Sequence, residues 1–235
     1  MSLEPVEILA FGAHPDDIEI GLGGTVAKHI AAGHRVGLCD LTRGEMGTNG
    51  TPEERLTEAE DARACVGAAW RENLALPDRA LGGPDHARLV VDVIRRARPR
   101  VIALPYWEDR HPDHTSASRL VSDAAFSAAL RRYEPGAGEA WRVDWLCYYF
   151  INTTGPASFV VDVSVHYETK RRALACYRSQ FAPQDADAVA TRLTFPTFMR
   201  LIESRDTHFG ALAGVSFAEG ILVKDLIVRD GLLRR

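Results

Sequence analysis

Short apolar runs and helical stretches alternate four times in the first half of the chain, and that alternation restricts the fold more than any other feature. Strands are expected over 6–12, 35–41, 72–76 and 100–104, each leading to a helix, over 18–32, 52–69, 85–97 and 115–132. Parallel strands cannot be joined by tight turns, so strand–helix repeats of this kind read as a parallel sheet with crossover helices on its faces. The punctuation agrees. Gly33 follows the first helix as a left-handed terminator, Pro52 stands in the first turn of the second, and Pro135-Gly136 closes the fourth. Thr42 to Gly50, with three glycines and Asn49, reads as a loop. Beyond it the pattern loosens: strands are expected over 144–151, 159–163, 218–223 and 226–228, with helices over 167–177 and near 195–204. The expected fold class is α/β, a Rossmann-like three-layer sandwich with a mostly parallel sheet, and residues 1–235 read as one domain.

Composition removes several alternatives. Apolar residues make up 46% of 235, too many for a disordered chain. The formal charge is −4 and the arginines are interleaved with acids, so no basic face for nucleic acid or an anionic membrane stands out. No stretch approaches the roughly 20 apolar residues of a membrane-spanning helix. Cys39, Cys65, Cys147 and Cys176 are far apart, make no C-x-x-C pair, and follow no leader-like segment. Four free thiols in a reducing cytoplasm are expected, not a Cys-rich zinc site.

The chemistry gathers at two of the strand-to-helix junctions. His14-Pro15-Asp16-Asp17 follows the run 8–11, and His111-Pro112-Asp113-His114 follows the run 101–104. Open α/β sheets bind ligands at such edges. Residues three apart in a first helical turn share a face, so His14 can join Asp17, and His111 can join His114. Asp16 projects at another angle from Asp17. One carboxylate can therefore ligate a cation while its neighbour takes a proton from water. Taken singly, each cluster has a plain explanation, since acids cap helix N-termini and meet the helix dipole, and paired histidines often sit on surfaces. Taken together, with three of the eight histidines in two like turns, they indicate a divalent metal held by two imidazoles and one carboxylate. The same donors describe the facial triad of non-haem iron oxygenases. Those commonly occupy β-barrels, and hydrolysis needs only Lewis acidity, so Zn2+ is the first expectation and Fe2+ the second. Gly23-Gly24 lacks the spacing of a dinucleotide loop.

Ala13-His14-Pro15-Asp16-Asp17-Ile18-Glu19, followed by Gly23-Gly24 and then by His111-Pro112-Asp113-His114, resembles the signature of the LmbE/PIG-L family of zinc-dependent N-acetylglucosamine deacetylases. Thr42-Arg43-Gly44-Glu45-Met46-Gly47, Arg55-Leu56-Thr57-Glu58, Asp109-Arg110 and Phe217-Ala218-Glu219-Gly220 extend the likeness along nearly the whole chain. The resemblance implies that His14, Asp17 and His114 ligate zinc and that Asp16 deprotonates a water. It implies that His111 stabilises an oxyanion or protonates the departing amine, with Asp113 holding its ring. It also implies a small-molecule sugar substrate and a homo-oligomer, a hexamer being one form. Within the family, the R-G-E-M-G loop and D-R-H-P-D-H are most similar to the bacterial deacetylases of N-acetylglucosaminyl malate in bacillithiol synthesis. Arg55 and Arg110 resemble that family's ligand-facing arginines, suited to the carboxylates of malate. Glu45 would accept sugar hydroxyls, with Arg43 a looser candidate. Arg55 has a competing reading as an exposed helix residue beside Glu54 and Glu58. For His208 a surface role is expected. The alternatives are a deacetylase for another sugar conjugate and a non-catalytic metal- or sugar-binding relative. Asp16 argues against the latter, because holding a metal needs no free acid beside it.

Overall fold

The computed structural model describes residues 4–134, 136–183 and 187–228. Seven strands form one sheet: β1 (Ile8–Gly12), β2 (Val36–Thr42), β3 (Trp70–Leu76), β4 (Val101–Pro105), β5 (Trp145–Tyr149), β6 (Phe159–Asp162) and β7 (Ala218–Leu222). Their order is β3-β2-β1-β4-β5-β7-β6. The first five strands run parallel, and β7 lies antiparallel between β5 and β6. The helices are α1 (Asp17–Ala31), α2 (Pro52–Val66), α3 (Pro84–Ala97), α4 (Pro112–Ala128), α5 (Tyr167–Ala175), α6 (Arg178–Phe181) and α7 (Pro196–Ala213).

Two apolar layers sandwich the sheet. Leu9 and Phe11 of β1 and Ile102 and Leu104 of β4 pack with α3 and α4, whereas Ala10 and Ala103 face the layer of α1, α2 and α5. Both faces are buried, which is why these strands read as continuous apolar runs. Helix α3 shows the forces plainly. Val90, Val93, Ile94 and Ala97 are fully buried at helical spacing. Burial of roughly 1.5–3 kcal/mol per large aliphatic outweighs the weak helix propensity of valine. Helix α2 owes its start to a capping box, in which Thr51 Oγ1 accepts from Glu54 N (3.1 Å) and Glu54 Oε2 accepts from Thr51 N (3.3 Å).

Several boundaries differ from expectation. Gly67, at φ 84°, ends α2 before residue 69. Helix α4 begins at Pro112 and ends at Ala128, so Gly136 lies well beyond it, and Pro135 falls outside the described residues. The expected helix 167–177 breaks after Ala175 into α5 and the short α6, and α7 runs on to Ala213. Residues 226–228 form no strand: Leu226 and Val228 are 96% and 93% exposed, and a β-run without a partner has no ladder to join. Gly21 and Gly24 serve packing. A Cβ at Gly21 would collide with the Tyr149 ring, and one at Gly24 would stand 2.7 Å from Val163. All four cysteines are free, and no described helix is long and apolar enough to cross a membrane.

The strand order reverses at β1, which has β2 on one side and β4 on the other. Ile8, Leu9 and Ala10 pair with Val101, Ile102 and Ala103. The carboxyl ends of β1 and β4 therefore flank the switch point, where a doubly wound sheet opens a crevice. Both His-Pro turns leave from there.

Candidate metal centre and its cavity

Pro112 occupies the first turn of α4, where its missing N–H costs nothing, and His111 caps that helix by accepting from Asp113 N at 3.2 Å. Asp16 caps α1 with φ 108° and ψ −28°, a backbone state that costs a non-glycine residue of order 1–3 kcal/mol. Its carboxylate makes no cap hydrogen bond and meets Arg55. Asp17 folds back instead, its Oδ2 accepting from His14 N at 2.9 Å.

Three side chains converge. Asp17 Oδ1 lies 3.1 Å from His114 Nε2, and Asp17 Oδ2 lies 3.4 Å from His14 Nδ1. The outer nitrogens are also engaged: His14 Nε2 is 3.2 Å from Asp78 Oδ1, and His114 Nδ1 is 3.0 Å from Asp109 Oδ1. With each outer nitrogen turned to its own carboxylate, the inner nitrogen is the one left to ligate. Two imidazole nitrogens thus face one carboxylate at little over 3 Å. Such a group can share a cation, and the donor set fits zinc. One nitrogen from each of His14, His111 and His114 lies within 4.8 Å of the others, and a ligand atom from each of His14, Asp78 and Asp113 forms a second such group. His111 stacks on His114 at 4.7 Å between ring centres.

The electrostatics follow. Burial opposes charge on Asp17, but the His114 and His14 imidazoles outweigh it and hold the carboxyl well below its usual range. Burial likewise works against protonation of His114, yet Asp17 and Asp109 push its pKa up to about 9. Burial, then the neighbouring imidazoles, depress His111. Asp16 is raised by burial to about 7, with the Arg55 charge opposing.

Arg55 is 5% exposed, so the surface alternative fails. Its Nη2 donates to Pro15 O (2.6 Å) and Asp16 Oδ2 (3.3 Å), and its Nη1 donates to Gly44 O (3.1 Å). A Cβ on Gly44 would overlap Arg55 Nη1. The R-G-E-M-G loop therefore admits the guanidinium by omitting a side chain. Glu19, in the same motif as Asp16, points elsewhere: its Oε1 pairs with Arg71 (2.6 Å), which forks onto both Asp40 oxygens at 2.7 Å. Glu219 accepts from Gly24 N, Thr25 N and Lys170 Nζ and ties β7 to α1.

A cavity of about 460 Å³ opens over the convergence, lined by His14, Asp16, Asp17, His111 and His114 at its base and by Arg110 toward solvent. Of the residues expected at the site, those six and Arg55 meet there. Glu45 does not line it; its Oε1 accepts from Asp78 N at 2.7 Å. Arg43 is exposed outside the cavity, and His208 is exposed on α7. The Asp113 carboxylate turns toward Arg79, leaving only its backbone N–H on His111. Sequence reasoning missed Asp78, Arg79, Asn152 and Arg192. Asp78 belongs to no motif, yet it follows β3 onto the same rim, so strand order alone would have pointed to it.

The family model described as PIG-L, GlcNAc-PI de-N-acetylase, matches residues 9–125. A diacetylchitobiose deacetylase from Thermococcus kodakarensis is 30% identical over 230 residues, spanning 92% of this chain and 82% of its own. A 1D-myo-inositol 2-acetamido-2-deoxy-alpha-D-glucopyranoside deacetylase from Saccharopolyspora erythraea is 28% identical over 252 residues, covering 79% and 88%. Among solved structures, a conserved protein from Thermus thermophilus superposes with a TM-score of 0.86 at 37% identity, covering 98% of this chain and all of that one. The likeness thus spans nearly the whole chain in sequence and in fold, and the chain belongs to the PIG-L/LmbE family of N-acetylglucosamine-type de-N-acetylases.

Proposed function

We propose that this enzyme uses Zn2+ to remove the N-acetyl group from an N-acetylglucosamine conjugate, giving acetate and a free glucosamine amine, and that its substrate is N-acetylglucosaminyl malate in bacillithiol biosynthesis. The observation that carries the reading is the arrangement at the switch point: two buried imidazoles and one carboxylate converge, with the buried Asp16 carboxylate beside them on Arg55. His14, Asp17 and His114 would hold the zinc, which would supply Lewis acidity and lower the pKa of a water. Asp16 accepts that water's proton, and Arg55 keeps its carboxylate at the cavity floor. His111 accepts from Asp113 N at Nδ1, which puts its own proton on Nε2. From the cavity wall that N–H stabilises the oxyanion as the carbonyl is attacked, and the proton taken up by Asp16 is returned to the leaving amine. Arg110, on the same wall, faces the malyl carboxylates. The reading carries with it a cytoplasmic homo-oligomer.

The test is to incubate the protein with a panel of N-acetylglucosamine conjugates, the malyl glycoside included, and measure freed amine with and without a chelator. The malyl glycoside should give the highest kcat/KM, with activity lost to the chelator and restored by zinc. Turnover that survives complete metal removal overturns the metal role. Preference for a neutral conjugate overturns the malate assignment and leaves the deacetylase intact.

A further inference from the structure

The arginines around the cavity fall into two kinds. Arg55 lies 3.3 Å from the Asp16 carboxylate, and Arg79 lies 3.4 Å from that of Asp113. Arg110 and Arg192 line the same cavity, and neither has a carboxylate within ion-pair distance among the described residues. Burial, then the Arg110 charge, draws the Arg192 pKa below the usual guanidinium range. The Asp109 charge opposes that shift without pairing with Arg192. Two cations lining one cavity, neither ion-paired among the described residues, form a site for an anion from outside the chain.

Arg192 is also held in place. Its segment docks on Asn49, whose Nδ2 donates to Val189 O (2.8 Å) and whose Oδ1 accepts from Val189 N (2.9 Å). Asn49 is itself buried. Arg192 lies 5.6 Å from the Phe198 ring centre, and its Nη1 donates to Asn152 Oδ1 at 3.0 Å. Asn152 cannot turn over, because its Nδ2 donates to Asp109 Oδ1 (3.2 Å), the carboxylate that also holds His114. A single hydrogen bond to a neutral amide leaves most of the planar fork of Arg192 free for a bidentate acceptor.

We infer that Arg110 and Arg192 form a carboxylate-binding subsite at the cavity rim, which reads an acidic aglycone on the acetylated sugar, and that Arg192 sets this specificity. The inference rests on the proposed function for the sugar and for the Arg110 contact, and adds Arg192 to it, so its test has two arms. In the first, kcat/KM is measured on the malyl, methyl and phosphate glycosides of N-acetylglucosamine for the parent, Arg110→Gln and Arg192→Gln. The parent should prefer the malyl over the methyl glycoside, and Arg192→Gln should cut that preference about tenfold, through KM. An unchanged preference in both variants overturns the subsite; a parent preference for the phosphate overturns its carboxylate assignment. In the second arm, free malate is titrated calorimetrically into the zinc-loaded proteins. Weaker binding to the double variant Arg110→Gln/Arg192→Gln supports the subsite, and equal binding overturns it, even if the parent hydrolyses no glycoside.

Discussion

Asp16 is the residue where backbone and chemistry conflict most openly. Its positive φ is unfavourable for any residue that carries a Cβ, yet its carboxylate is on Arg55 while that of Asp17 meets His14 and His114. The two acids are neighbours in sequence with opposite assignments, and variants should separate them. Asp16→Asn keeps the shape and tolerates the left-handed backbone, so zinc content should match the parent while turnover falls by about 10²–10⁴. His114→Ala removes an inward nitrogen and should lose zinc and turnover together. Metal analysis of the purified proteins beside amine release decides this; an Asp16→Asn variant as active as the parent removes the base assignment.

At the scale of elements, the sequence was legible wherever a strand ended in a distinctive turn. Both His-Pro clusters stand out because proline marks a helix start and the preceding runs are buried on both sides. Asp78 was not legible, because its role depends on where β3 lies in the sheet relative to β1 and β4, which no local pattern states. Arg55 was half legible: its position on α2 was clear, but its burial depends on a cradle that opens only because residue 44 is glycine. That argues for Gly44→Ala as a probe. The new methyl must displace the guanidinium, and Ala is strained at φ 69°, so kcat should fall with zinc still bound. Parent-like kcat in this variant would show the Arg55 contacts to be idle. Arg95 of α3 is a quieter case. With no carboxylate partner among the described residues, it donates to the carbonyls of Ala128, Leu130, Tyr133 and Glu134 at 2.7–3.1 Å and pins the chain beyond α4. Arg95→Met orphans these acceptors and should cost about 3 kcal/mol or more in denaturant unfolding, with kcat/KM unaltered. A cost below about 1 kcal/mol would mean that water replaces the guanidinium.

Over the whole molecule, a second charged network ties the layers together without using the residues proposed for the chemistry. Lys170 is fully buried and bonds Asp206 and Glu219, both at 2.6 Å. Burial works against the Asp206 charge, but Arg205 and Lys170 outweigh it and hold the carboxyl below its ordinary 3.8. A depressed carboxylate contributes stability that is present above its unfolded pKa and lost as pH falls through the folded one. The stability gap between the parent and Asp206→Asn should therefore be largest near neutrality and shrink below about pH 4. Urea midpoints across that range measure it, and a gap that stays constant would place the contribution in packing.

The reversal of strand order at β1 also governs when the donors can meet. His14 and Asp17 emerge early in synthesis, but His114 reaches them only after β4 has docked beside β1, with three helices and two further strands already made. On the proposed ligand set, a nascent chain that stops short of α4 offers a cation two donors instead of three. Tight uptake of the ion must therefore come late in assembly, which makes ion capture a timestamp for the moment the two halves of the sheet close.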